Sequence, residues 1–157
     1  MTTRRPIGID AMSSPTDITL LYLIKQVELA VRSHLEAAVS PYGLTSLQYT
    51  ALTVLERHPG MTSAELARNS FVRAQTMAQM TTQLEGRDLI KRDRDPQSRR
   101  QFKLQLTDNG RDVLVALRDK VAGVERDMLA GLTSAEAQQL RAALRACRVA
   151  LGGRHPH

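Results

Sequence analysis

The sequence predicts a mainly α-helical fold with one β-hairpin set into it, and three observations carry that reading. Apolar residues recur at three- and four-residue steps over most of the chain, which places them on one face of a helix. That period breaks at Gln101-Phe102-Lys103-Leu104-Gln105-Leu106, where strict alternation marks a strand with one buried face. Three Thr-x-x-Gln/Glu pairs (Thr45–Gln48, Thr62–Glu65 and Thr133–Glu136) are capping boxes that fix where helices begin. A length of 157 residues suits one domain with helical extensions.

Taken in order, residues 1–13 show no period and read as a flexible basic arm carrying Arg4 and Arg5. Ser14-Pro15-Thr16-Asp17 is a helix start, with Ser at the N-cap, Pro in the first turn and an acid at the positive helix end. Leu20, Ile24, Val27, Val31, Leu35 and Ala38 carry that helix to residue 40, and Pro41-Tyr42-Gly43 ends it. The next helix turns Leu47, Ala51, Val54 and Leu55 inward and stops at His58-Pro59-Gly60. Thr62–Glu65, with Met61 stapled onto Leu66, opens a short helix that ends near Asn69-Ser70. A further helix runs from Arg73 to Gly86 with Met77, Met80 and Leu84 inward. Two short helices joined by a tight turn form a helix-turn-helix.

Leu89-Ile90-Lys91-Arg92 and residues 101–106 are the hairpin strands, and Asp93 to Arg100, with the Asp95-Pro96 turn signal, is its polar tip. Thr107 then caps a long helix with Leu114, Leu117, Val121, Val124 and Met128 on one seam. Ala137, Leu140, Leu144, Cys147 and Leu151 repeat the same spacing, and residues 152–157 are a tail. The organisation is therefore a winged helix-turn-helix domain at 41–106, flanked by an N-terminal dimerisation helix at 14–40 and C-terminal dimerisation helices at 107–151. A winged core of roughly 60 residues folds without those seams, and each buried Leu or Val contributes roughly 1.5 to 3 kcal/mol. Surplus apolar seams of this kind predict a homodimer.

Charge points to the partner. The net charge is +6, from eighteen arginines and four lysines against sixteen acids. Arg87, Lys91, Arg92, Arg94, Arg99, Arg100 and Lys103 face only Asp88, Asp93 and Asp95 over residues 87–103, so most of the excess sits around the hairpin. Arginine makes planar, bidentate contacts to phosphate and guanine, which makes nucleic acid or another polyanion the expected partner, and double-stranded DNA once the helix-turn-helix is taken with it. An aromatic content of 3% argues against single-strand stacking platforms. Near the start of a recognition helix the outward polar set is Arg73, Gln75, Thr76, Gln79 and Gln83. Glutamine pairs with adenine, arginine with guanine, and the threonine methyl meets thymine. Arg99 and Arg100 are placed for a minor groove, and Arg92, Arg94 and Lys103 for phosphates or for holding the hairpin together. A twofold dimer then reads a near-palindromic operator.

Other classes find little support. No apolar run reaches the roughly 18 residues of a membrane span, and the N-terminus has no apolar segment behind its basic residues, so the expected compartment is the cytoplasm. The single cysteine rules out an intrachain disulfide framework, and His34, His58, His155 and His157 have no metal-ligand spacing outside the tail pair. There is no phosphate loop and no nucleophile elbow, so no catalytic residue, metal or cofactor is assigned.

The ordered pieces resemble the MarR family, the multiple-antibiotic-resistance type of transcriptional regulator, over Asp17 to Ala150. The resemblance is carried by Leu84-Glu85-Gly86-Arg87-Asp88-Leu89-Ile90-Lys91-Arg92, by Asp95-Pro96-x-x-Arg99-Arg100 and by Leu104-x-Leu106-Thr107-x-x-Gly110. Leu47-Gln48, Val54-Leu55 and Glu65-Leu66-Ala67 match upstream. Where the family commonly has an Asp two residues before the second wing arginine, this chain has Ser98, with Asp93 and Asp95 as the acids able to substitute. The resemblance implies a regulator, more often a repressor, that responds to a small aromatic or phenolic molecule, with His34, Tyr49 and Arg57 on elements that line such a pocket. Two alternatives stand beside it. One is a protein-interaction module that keeps the winged fold without specific DNA binding. The other is a redox-sensing regulator using Cys147, although a cysteine on an apolar seam reads first as a small buried hydrophobe.

Overall fold

The computed structural model describes residues 18–152. Six helices and one hairpin follow in the order α1 (Leu20–Val39), α2 (Ser46–Arg57), α3 (Ser63–Asn69), α4 (Ala74–Gly86), β1 (Ile90–Asp95), β2 (Ser98–Leu106), α5 (Asp108–Leu129) and α6 (Ser134–Ala150). A single 3-10 turn at Ser40–Tyr42 joins α1 to α2 and ends on Gly43 at φ 68°, a left-handed conformation that glycine adopts without strain. The start signal at Ser14 lies outside the described residues. Within them α1 is capped by Thr19, whose hydroxyl accepts from the Tyr22 N–H at 3.2 Å.

All three capping boxes form in both directions. In the second, the backbone N–H of Thr62 donates to the Glu65 carboxylate at 2.8 Å. That bond is the main reason the Glu65 carboxyl sits below its ordinary value of 4.5.

The core gathers one side from α1 through α5 and from both strands: Val39, Leu52, Leu55, Leu66, Met77, Leu84, Ile90, Leu104 and Leu117 are essentially inaccessible. On α2 the buried set is Gln48, Ala51, Leu52 and Leu55, spaced i, i+3, i+4, i+7. Leu47, expected inward, is instead 45% exposed, because that stripe begins one residue later. Leu52 takes its place.

The hairpin differs from the sequence expectation in length. β1 pairs antiparallel with β2 from Ile90↔Leu106 to Asp95↔Ser98, so the polar tip shrinks from Asp93–Arg100 to Pro96 and Gln97. The reason lies across the ladder. Asp93 stands opposite Lys103, Arg94 stands opposite Phe102 with its guanidinium 5.7 Å from the ring centroid, and Lys103 reaches Asp95 at 3.7 Å. Cross-strand pairs of these kinds stabilise a ladder whose outer residues, Phe102 apart, are polar. Leu104 also bridges to Met61, its N–H donating to the Met61 carbonyl at 2.7 Å, which ties the wing to the start of α3.

Helices α1 and α6 are unfinished as parts of one chain. No residue of α6 is buried, Leu140, Leu144 and Val149 are exposed on it, and Leu20 and Leu21 on α1 are each more than three-quarters exposed. Cys147, read in the sequence as a buried hydrophobe, is exposed in the single chain because the seam it belongs to has nothing packed on it. No helix of the described residues is long and apolar enough to cross a membrane.

Helix α5 starts where Thr107 accepts from the Gly110 N–H at 3.0 Å, pressed against the root of the wing. A Cβ at Gly110 would lie 2.1 Å from the Leu89 carbonyl oxygen, a clash with backbone that no rotamer relieves. Gly110→Ala is therefore expected to destabilise the protein by about 1 to 3 kcal/mol, as overpacking does. Chemical denaturation of the variant against wild type measures it, and an unchanged midpoint would contradict the packing described.

Candidate nucleic-acid interface

Helix α4 has two different faces. Met77, Met80, Thr81 and Leu84 point into the core, and Gln75, Ala78, Gln79, Thr82 and Gln83 lie together along one side of the surface. Thr76 is exposed beside them, and Arg73 is the exposed N-cap residue, extended at φ −70° and ψ 149°. The turn that brings α4 across α3 holds Phe71 at φ 58°, an uncommon conformation for a residue with a side chain, and leaves it 86% exposed. Together, Arg73, Gln75, Thr76, Gln79 and Gln83 form one exposed polar surface. Gln83 is the one already engaged, since its Oε1 accepts from Gln48 Nε2 at 3.0 Å.

The arginines around the wing divide by their partners. Arg92 is anchored to α4: its Nε pairs with Glu85 at 2.8 Å, and its Nη2 donates to the hydroxyls of Thr81 at 3.3 Å and Thr82 at 3.4 Å. Arg87 donates to the carbonyls of Tyr42 and Gly43, joining the end of α4 to the α1–α2 turn. Arg94 lies over Phe102. Arg99 and Arg100 are exposed on β2 rather than in a loop, and neither pairs with an acid among the described residues. Asp93 pairs with Lys91 at 3.7 Å and Asp95 with Lys103, so neither takes the place of the acid that Ser98 lacks. The two arginines without an acid partner thus project from the outer part of β2, on the wing that Arg92 holds to α4.

The partners of two of these residues escape the sequence reading, which has Arg87 in the charge excess and in the stretch that carries the resemblance, and Gln48 as a capping residue and in the upstream match. Their partners stand 44 or 45 and 35 residues away, so no local pattern announces them.

The three residues named for a ligand pocket are not all brought together. Tyr49 is half-buried on α2 and packs on the core. Burial raises its hydroxyl above the ordinary 10.0; the Glu56 charge adds to the rise, while Arg57 and Arg118 oppose it. Arg118 of α5 reaches Glu56 at 3.4 Å, so Tyr49, Glu56, Arg57 and Arg118 form one electrostatic group between α2 and α5. His34 is exposed on α1 and is not among the groups that act on Tyr49. Among the described residues no three His, Cys, Asp or Glu side chains come together as a metal site, and the tail pair His155 and His157 lies outside them.

Comparison with known proteins places this geometry. Residues 44–102 match the MarR family profile. The HTH-type transcriptional repressor Rv2887 of Mycobacterium tuberculosis is 32% identical over 130 residues, covering 83% of this chain and 94% of the relative. The crystal structure of Rv2887 in complex with salicylic acid superposes with a TM-score of 0.69 at 31% identity, over 84% of this chain and 98% of that one. The same protein in complex with DNA gives a TM-score of 0.70 at 30% identity over 83% and 98%. The transcriptional repressor CouR, bound to a 23-mer DNA duplex, gives 0.72 at 30% identity over 83% and 92%.

The Glu85–Arg92 pair is partly exposed, so its free energy is screened by solvent. A double-mutant cycle with Glu85→Gln and Arg92→Met is expected to show a coupling of about 0.5 to 1 kcal/mol at low salt, falling in 1 M NaCl. Zero coupling at low salt would remove this anchor of the wing.

Proposed function

This chain belongs to the MarR family, and on that premise we propose that it is a homodimeric, sequence-specific DNA-binding repressor of transcription whose hold on DNA is weakened by a small phenolic or aromatic molecule. The observation that carries the reading is the neutral, hydrogen-bonding surface of α4 together with a wing whose Arg99 and Arg100 pair with no acid among the described residues. Base-edge readers on a helix, flanked by cations free to enter a narrow minor groove, are the two parts that specific duplex binding needs. Arg73, Gln75, Thr76, Gln79 and Gln83 supply the first part and Arg99 and Arg100 the second. Arg92 and Arg94 act by holding the wing in place.

The unpartnered apolar faces of α1 and α6 support dimerisation through the terminal helices. A twofold pair of recognition helices then presents itself to successive major grooves of a near-palindromic operator. The relatives' complexes with DNA and with salicylic acid support both the DNA-binding and the effector parts of the reading. On this reading the effector's carboxylate is drawn to the cations of the group around Tyr49, Arg57 and Arg118, between α2 and α5. The reading calls for no catalysis and places the protein with its DNA in the cytoplasm.

The test is a gel shift with the DNA immediately upstream of the protein's own gene in excess competitor, followed by anisotropy titration on the retained fragment. A discrete competitor-resistant band is expected, and selection from random duplexes that yields no motif would refute the reading. Arg100→Ala is expected to weaken specific binding by about 1 to 3 kcal/mol, with a log–log salt slope shallower by nearly one. Unchanged affinity would remove Arg100 from the interface. Millimolar salicylate is expected to release the fragment, and no change in affinity would exclude that class of effector.

A further inference from the structure

We propose that Gln48 fixes the side-chain amide of Gln83 so that Gln83 offers bound DNA only N–H donors, which makes Gln83 a selector for guanine rather than adenine. The inference rests on the DNA-reading role given to α4 above.

The argument follows the polarity of three hydrogen bonds. The backbone N–H of Thr45 can only donate, and it donates to Gln48 Oε1 at 3.0 Å as half of the α2 capping box. The other half is the Gln48 N–H donating to the Thr45 hydroxyl at 3.1 Å. With its oxygen held at the Thr45 N–H, the Gln48 side chain is oriented with its NH2 group toward α4. Nε2 accordingly donates to Gln83 Oε1 at 3.0 Å. Reversing Gln48 would set its NH2 against the Thr45 N–H and break the cap. Because Gln48 is only 7% exposed, little water is at hand to repair the loss. A backbone group 38 positions before Gln83 therefore decides which end of the Gln83 amide faces inward.

What remains outside is the Gln83 NH2, on the same side of α4 as Gln75 and Gln79. A free glutamine pairs bidentately with adenine by donating to N7 and accepting from the N6 amino group, and the second bond needs its carbonyl. At Gln83 the carbonyl is turned inward. Guanine, with N7 and O6 both acceptors, matches a side chain that can only donate. The adenine pairing expected for the glutamines of this helix is thus withdrawn at Gln83 alone. Gln75 and Gln79 carry no such tether among the described residues and keep both options. Gln48 never reaches the groove in this scheme; it is a positioning residue acting through Gln83.

The test uses the full-length protein on a motif obtained by selection from random duplexes. All four bases are then compared at each half-site position by anisotropy, for wild type, Gln83→Ala and Gln48→Glu. Glutamate is at home at the third position of a capping box, so the α2 cap survives. Its side chain carries acceptors alone, which turns the Gln83 NH2 inward and its carbonyl outward. One half-site position is expected at which wild type favours guanine over adenine about tenfold. That ratio falls to about one in Gln83→Ala and inverts toward adenine or cytosine in Gln48→Glu. The readout is the ratio between bases, which the added negative charge of Gln48→Glu does not change. Equal weakening on every sequence in Gln83→Ala would mean a phosphate contact and overturn the proposal. So would a base preference left intact by Gln48→Glu. Gln83→Ala alters an exposed side chain and keeps the test decisive should Gln48→Glu fail to fold. A wild-type protein that selects no motif at all would instead refute the DNA-reading role on which the proposal rests.

Discussion

The packing at the root of the wing depends on one backbone crossing. The Leu89 N–H donates back to the Leu84 carbonyl at 3.0 Å, closing α4, while the Leu89 carbonyl accepts from the Thr107 N–H at 3.1 Å, where β2 gives way to α5. The Thr107 hydroxyl donates to the Asp88 carbonyl at 2.6 Å, with Asp88 itself at φ 55°. Gly110 completes the crossing by having no side chain where one would meet the Leu89 oxygen. The end of the recognition helix, both strands of the wing and the first turn of α5 are thereby held by a few adjacent groups. The polar face of α4 and the first turn of α5 are thus tied to one another at this point.

Around that crossing, similar side chains take different work. Five arginines lie between residues 87 and 100, and their roles follow from what stands beside them. Arg87 serves two carbonyls, Arg92 an acid and two hydroxyls, and Arg94 an aromatic ring, whereas Arg99 and Arg100 are exposed and meet no acid among the described residues. An arginine already satisfied by the protein must break those bonds to reach a phosphate. One left in solvent gives up only water, which is a far smaller loss. The local charge excess is thus a mixed property: part of it builds the wing and part of it is left for a polyanion.

The apolar faces follow the opposite logic. The winged core closes on itself, with sixteen buried hydrophobic residues drawn from α1 through α5 and none from α6. Exposed leucines on α1 and α6 cost free energy in water, and it is this cost that supports the proposed pairing through the terminal helices.

Much of this was legible in the sequence, because it is local. Capping boxes at Thr45, Thr62 and Thr133, the buried stripe of α4 and the alternation in β2 all rest on contacts within a few residues, and periodicity reports them directly. The start of the long helix at Thr107 was equally plain. What the tertiary structure decided was every matter of partnership over long separations. Opposed charges across the ladder turned the expected loop at Asp93–Arg100 into strand, and the neighbours of α2 put Leu52 rather than Leu47 inside. A glutamine that looked like a simple cap proved to hold the amide of Gln83. Sequence records which groups can bond, since donors, acceptors and apolar surface belong to residue types. Which of them do bond depends on the chain's three-dimensional path, and hydrogen bonds and packing are too short in range to be read before that path is known.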